Sequence, residues 1–132
     1  MDRNEKLSII REINDFIEQI NGESPEDSLI LVEGKRDLQA LAYLGCNGNI
    51  RMYHHHFKNP IDLVDKFRNN YKKLILLLDL DRSGEIMTKK ISNLLNQKYI
   101  DHKYRMRLLS ITQGRVKTIE ELKSFYDSMQ EN

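Results

Sequence analysis

Apolar residues recur along this chain in two rhythms, one helical and one extended. Ile10, Ile13, Ile17 and Ile20 fall at helical spacing, with Leu7, Ile9 and Phe16 widening the stripe. This predicts an amphipathic helix over 5–21, stopped by Gly22. After a polar, proline-bearing stretch, Leu29-Ile30-Leu31-Val32 reads as a short buried strand. Residues 36–44 read as a helix with Leu38, Leu41, Ala42 and Leu44 on its apolar side, ended by Gly45. Ile50–Tyr53 predicts a second strand. Asn59-Pro60 starts a helix, asparagine as cap and proline in the first turn, with Ile61, Leu63, Val64 and Phe67 to bury. Leu74–Leu78 is the clearest strand. Residues 84–97 predict a helix on Ile86, Met87, Ile91, Leu94 and Leu95, whereas 98–112 suit a short strand and a basic helix equally. Thr118 and Glu121 form a capping box that opens a last helix on Ile119, Leu122, Phe125, Tyr126 and Met129.

Strand and helix alternate through the middle, and the strands are apolar on both faces. That pattern predicts an α/β fold, a parallel sheet covered by helices with right-handed crossovers. In such sheets chemistry gathers beyond the carboxyl ends of the strands.

The 132 residues suit one domain, and 39% apolar with 31% charged residues excludes a disordered composition. The longest apolar run, Leu74–Leu78, is far too short for a membrane span, and no apolar segment follows the charged N-terminus. Cys46 is the one cysteine, which excludes an intrachain disulfide and a Cys-rich zinc site. A soluble, cytoplasmic protein is therefore expected. Net charge is +1, but unevenly spread. Residues 1–37 carry ten acids and five bases, whereas 98–117 carry one acid and six bases. A basic middle between acidic ends forms either one polyanion-binding face or a set of scattered, solvated helix faces.

The first strand delivers Glu33-Gly34-Lys35-Arg36-Asp37, and the strong strand delivers Asp79-Leu80-Asp81-Arg82-Ser83-Gly84. Asp79 and Asp81 point the same way while the chain stays extended. If the two strands are neighbours, Glu33 joins them, because adjacent strands lie about 4.8 Å apart. Carboxylates held that close repel, and a hard divalent cation is the natural remedy. Gly34 and Gly84 stand at the strand exits, where backbone passes close to a ligand. An Asp-x-Asp after a strand is common by itself; its pairing with Glu-Gly after an earlier strand is far more specific.

These two segments, Leu31-Val32-Glu33-Gly34-Lys35-Arg36-Asp37 and Asp79-Leu80-Asp81-Arg82-Ser83-Gly84, resemble the Toprim domain of topoisomerases, bacterial primases and related nucleases. The whole length is similar to the small stand-alone Toprim proteins of archaea. The resemblance implies a compact fold of about four parallel strands between helices, with extra N- and C-terminal helices. On this reading 1–132 is one domain: an N-terminal helix over 1–23, the motif-bearing core over 28–97, and a basic segment with the last helix over 98–132. It implies that Asp79 and Asp81 bind Mg²⁺, or Mn²⁺ in its place, and that Glu33 is the general acid or base. It gives Gly34, Lys35, Asp37, Arg82 and Gly84 supporting roles: Lys35 and Arg82 near phosphates, Asp37 as an orienter or second metal contact. The tyrosine-bearing domain of topoisomerases and the zinc-binding domain of primases have no counterpart here.

His54-His55-His56, taken as an extended segment, would point to alternate faces and share no ion, which leaves packing or substrate contact as roles. Arg105, Arg107, Arg115 and Lys117, with Lys98 and Lys103, form either a phosphate footprint or a solvated face. Tyr99 and Tyr104 within that stretch could stack on unpaired bases. Cys46 reads as a small packing residue. The width of the first helix's stripe leaves room for a homodimer contact.

The expected function is cleavage of phosphodiester bonds in RNA or DNA by a Mg²⁺-dependent enzyme. The alternative is a nucleic-acid-binding module, non-catalytic or dependent on a larger protein partner. A phosphatase of the haloacid-dehalogenase type is a third reading, disfavoured because Ser83 stands where that family carries threonine or valine.

Overall fold

The computed structural model describes residues 1–131. Helix α1 spans Arg3–Asn21 and is capped by Asp2, whose carboxylate accepts the Glu5 amide at 2.8 Å. Strand β1 (Ser28–Val32) leads to α2 (Lys35–Tyr43), then β2 (Ile50–Met52), a single turn α3 (Tyr53–His56) and α4 (Pro60–Asn70). Strand β3 (Lys73–Leu76) leads through a turn to α5 (Arg82–Ser92). A 3-10 turn at Gln97–Tyr99, the two-residue β4 (Ile100–Asp101), α6 (Lys103–Thr112) and α7 (Leu122–Met129) complete the order.

The strands form one four-stranded sheet in the order β2-β1-β3-β4, and every pairing is parallel. Alternate residues of the central strands feed opposite layers. Ile30, Val32, Ile75 and Leu77 pack with α1, α2, α6 and α7, around Phe16, Ile20, Leu41, Leu108 and Ile119. Leu29, Leu31, Leu74, Leu76 and Leu78 pack with α4 and α5, around Leu63, Phe67 and Ile91. β1 is buried at all five positions, which explains the unbroken apolar run Leu29–Val32 that follows its buried Ser28.

The predicted Asn59 cap is made, its side chain accepting the Asp62 amide at 2.9 Å. Thr118 and Glu121 exchange bonds between side chain and backbone, but these close a turn ahead of the last helix, which begins at Leu122 with Glu121 as its N-cap and no side-chain cap bond, not at Thr118 as expected. Cys46 is buried in the α1-side layer, as a packing residue should be. No helix among the described residues is long and apolar enough to cross a membrane.

The chain departs from its sequence pattern in three further places. Ile50–Tyr53 is not all strand: the backbone turns helical at Tyr53, so the three histidines occupy a helical turn instead of an extended run. The helix expected over 84–97 begins at Arg82 and ends at Ser92. The ambiguous 98–112 holds both candidate structures, a two-residue strand and then a helix.

Candidate functional site

β1 and β3 are neighbours, with Leu31 paired to Leu76. Leu77 continues the ladder, its amide donating to the Leu31 carbonyl at 2.9 Å. Glu33 and Asp79 therefore leave adjacent strands at nearly the same height, both half-buried. Burial pushes the Glu33 carboxyl up, and Asp79 beside it, with the negative charges of Asp37 and Asp81, pushes it further, to about 8. A carboxyl so placed can hold a proton at neutral pH.

Each aspartate is fixed through one oxygen. Asp79 Oδ1 accepts the Ile119 amide at 3.2 Å, and Asp81 Oδ1 accepts the Gly84 amide at 2.8 Å as the N-cap of α5. Asp37 differs: Oδ2 accepts the Gly34 amide at 3.1 Å and Oδ1 accepts the Glu120 amide at 2.9 Å. Both of its oxygens serve the backbone. Through these two bonds it ties the start of α2 to the segment before α7.

The donor set consists of oxygens only, which suits a hard cation. Among the described residues no three His, Cys, Asp or Glu side chains form a ready-made cage. Mg²⁺ does not need one, because it takes one or two carboxylates and fills its remaining positions with water and phosphate oxygens. Asp79 and Asp81, each pinned by a backbone amide through Oδ1, fit that demand.

The two glycines differ. A Cβ on Gly84 would overlap the Asp79 carbonyl oxygen, so the turn closes only around glycine. Gly34 has an extended backbone and no atom within 4 Å of where its Cβ would be. The packing of the chain itself therefore does not require glycine there.

The basic residues do not gather as one face. Arg105 is 6% exposed and points under the Asp79–Gly84 turn, so it is no surface phosphate contact. Tyr104 is buried, and its hydroxyl hydrogen-bonds Glu23, so it cannot stack on a base. Tyr99 packs edge-on against Phe67. Lys103 pairs with Glu23 and Asp101, and Arg107 donates to Gln19. Arg115 is exposed, its Nη1 3.7 Å from Met1 Sδ. Lys117 is exposed, and its backbone reaches the acidic turn, its carbonyl accepting the Leu80 amide at 2.8 Å. Lys35 and Arg82, also exposed, open α2 and α5 at the same edge.

Sequence reasoning missed two contributors. One is Arg105 as a buried support. The other is the segment 117–120, whose backbone bonds Leu80, Asp79 and Asp37. Neither carries a local signal, since both act across tens of residues. The histidine turn does flank the site: the His54 amide donates to the Glu33 carbonyl at 3.1 Å. His56 bonds back to Met52, and the three histidines form no metal-binding group among the described residues.

Comparison with known proteins gives the same identification. The Toprim domain matches residues 28–111. A UPF0292 protein of Methanocaldococcus jannaschii is 33% identical over 115 residues, covering 84% of this chain and 87% of its own. One from Methanosarcina barkeri is 25% identical over 91% of this chain and 84% of its own. A solved structure of a protein from Aquifex aeolicus superposes with a TM-score of 0.65 at 30% identity, covering 81% of this chain and 94% of that one. With Glu33 and the Asp79–Asp81 pair at the ends of adjacent parallel strands, and that match running across all four of them, the chain belongs to the Toprim domain family.

Proposed function

We propose that this protein is a Mg²⁺-dependent enzyme that cleaves phosphodiester bonds in RNA or DNA, with Mn²⁺ able to replace Mg²⁺. Toprim domains generally bind divalent metals and serve nucleic-acid chemistry, which supports the metal and the class of substrate. The observation that carries the reading is the placement of the Glu33 carboxyl against Asp79, beside an Asp81 whose second oxygen is free of the α5 cap.

Asp79 and Asp81 would hold the ion. When bound, Mg²⁺ supplies charge neutralisation at a non-bridging phosphate oxygen and a lowered pKa for water. Glu33 takes the proton of the attacking water or hydroxyl, or returns one to the leaving oxygen, a role worth about 10²–10⁴-fold in rate. Lys35, Arg82 and Lys117 bind flanking phosphates. Asp37 keeps the start of α2 and the 117–120 segment in register around the acids.

The test is incubation with labelled single-stranded, duplex and hairpin RNA and DNA in Mg²⁺, Mn²⁺ or EDTA. Wild type should cleave only with metal, and Glu33→Gln and Asp79→Asn should not. Intact binding with no cleavage in any metal would replace this reading with that of a recognition module.

A further inference from the structure

We propose that Arg105 is a positioning residue for the acidic site, its guanidinium fixing from below the backbone turn that presents Asp79 and Asp81. The proposal rests on the metal-dependent reading above.

A buried cation normally meets a carboxylate. Among the described residues Arg105 forms no ion pair within 4 Å. Its partners are instead backbone carbonyls of the metal-motif segment. Nε donates to Leu78 O at 3.3 Å, and Nη2 donates to Asp79 O at 2.7 Å and, more weakly, to Asp81 O at 3.5 Å. One planar fork thus reaches three carbonyls of a single turn, which a lysine's compact ammonium does not reproduce.

The Asp79 carbonyl is clamped twice. Arg105 holds it from the α6 side, and Gly84 crowds it from the start of α5. With Asp79 Oδ1 on the Ile119 amide and Asp81 Oδ1 on the Gly84 amide, both backbone and side chains of the turn are fixed. Burial lowers the guanidinium's pKa, and the charges of Glu85, Asp81, Asp79 and Glu33 work against that shift.

Charge and geometry make opposite predictions, which renders the idea testable. As a mere charge, Arg105 repels an incoming cation, and removing it should tighten metal binding. As a positioning fork, it should be needed for tight binding.

The experiment measures Mg²⁺ and Mn²⁺ binding by calorimetry on the full chain for wild type, Arg105→Lys, Arg105→Met and Leu108→Ala. Amide exchange of residues 80–84 is followed in EDTA. Leu108 is buried on the same helix and outside the turn, so its variant reports simple loosening of α6. Both Arg105 variants should weaken metal binding by about 10–100-fold, the usual range for a lost partner of a ligand, and should speed exchange across the turn. Leu108→Ala should lower Tm and leave metal affinity unchanged. An Arg105→Lys protein indistinguishable from wild type, or an Arg105→Met protein that binds Mg²⁺ as tightly as wild type, overturns the proposal. If Arg105→Met does not fold, Arg105→Lys decides. Should wild type bind no metal, the functional reading fails, while unchanged exchange in the Arg105 variants would separately remove the positioning role.

Discussion

Gly84 and Asp79 touch through their backbones: a Cβ on Gly84 would overlap the Asp79 carbonyl oxygen and lie 2.9 Å from its amide nitrogen. Backbone cannot yield as a flexible side-chain tip can, so Gly84→Ala must open the turn between β3 and α5. The Asp81 cap, which depends on the Gly84 amide, loosens with it. The expected loss is about 1–3 kcal/mol, typical of forced overpacking, read as a drop of several degrees in Tm. The variant should also lose its thermal response to Mg²⁺. A Gly84→Ala protein with wild-type Tm and metal response would contradict this geometry.

The acids of the site oppose folding where no cation joins them. Glu33, Asp37, Asp79 and Asp81 face one another, and burial strengthens their repulsion. Asp79→Asn keeps an oxygen for the Ile119 amide while removing one charge. In EDTA this variant should be more stable than wild type by about 1 kcal/mol, in the range of active-site replacements that trade function for stability. Mg²⁺ should raise the Tm of wild type and leave the variant unmoved. Denaturant titrations with and without Mg²⁺ check both halves, and a less stable variant in EDTA would argue against the repulsion.

A second titratable cluster lies at the opposite end of β3 from this chemistry. Glu23, just past the end of α1, accepts from the Tyr104 hydroxyl and pairs with Lys73 at 2.9 Å. Burial raises its pKa, but the bonds from Tyr104 and Lys73 and the charges of Lys73 and Lys103 outweigh burial and bring it below the usual value. A carboxyl depressed in the folded state contributes stability above its unfolded pKa of about 4.3 and loses it as pH falls through the folded value. Glu23→Gln should therefore be less stable than wild type near neutrality, and the gap should close on acidification. Unfolding curves down to about pH 3 test the sign; a gap that widens in acid would refute it.

Much of this arrangement is legible in the sequence because it depends on local or repetitive features. Leu29–Val32 and Leu74–Leu78 are apolar on both faces, and only a strand buried in a covered parallel sheet needs that. Asn59 announces a helix start through a bond spanning three residues. The motif pair is readable because β1 and β3 are adjacent, so two short segments suffice to assemble the acids. What escapes depends on distance in the chain. Arg105 looks like any surface arginine in a basic run until α6 packs beneath the turn 24–26 residues earlier in sequence. Tyr104 looks like a stacking platform until Phe16 and Glu23 enclose it. The histidines look extended because Ile50–Met52 is, and the change at Tyr53 follows from burial of that ring against the α4 side, a tertiary demand.

The same distinction decides where a polyanion should bind. By sequence, the densest cations are Lys98 to Lys117. In the fold, Lys103 is paired and Arg105 buried, while Lys35, Arg82 and Lys117 come from three separate segments to the edge that carries Glu33, Asp79 and Asp81. Phosphate contacts act through released counterions, so each lost contact lowers the slope of log affinity against log salt by about 0.7–0.9, for single strands and duplex respectively. Lys35→Gln, Arg82→Gln and Lys117→Gln should each weaken nucleic-acid binding and reduce that slope by about one contact, evenly across sequences. Lys98→Gln and Lys103→Gln should change neither, although they remove the same charge and leave the same net charge on the chain. Filter binding across a salt series compares the two sets directly. If the Lys98 and Lys103 variants lose as much slope as the edge variants, binding follows overall charge, and the carboxyl edge is not where the phosphates lie.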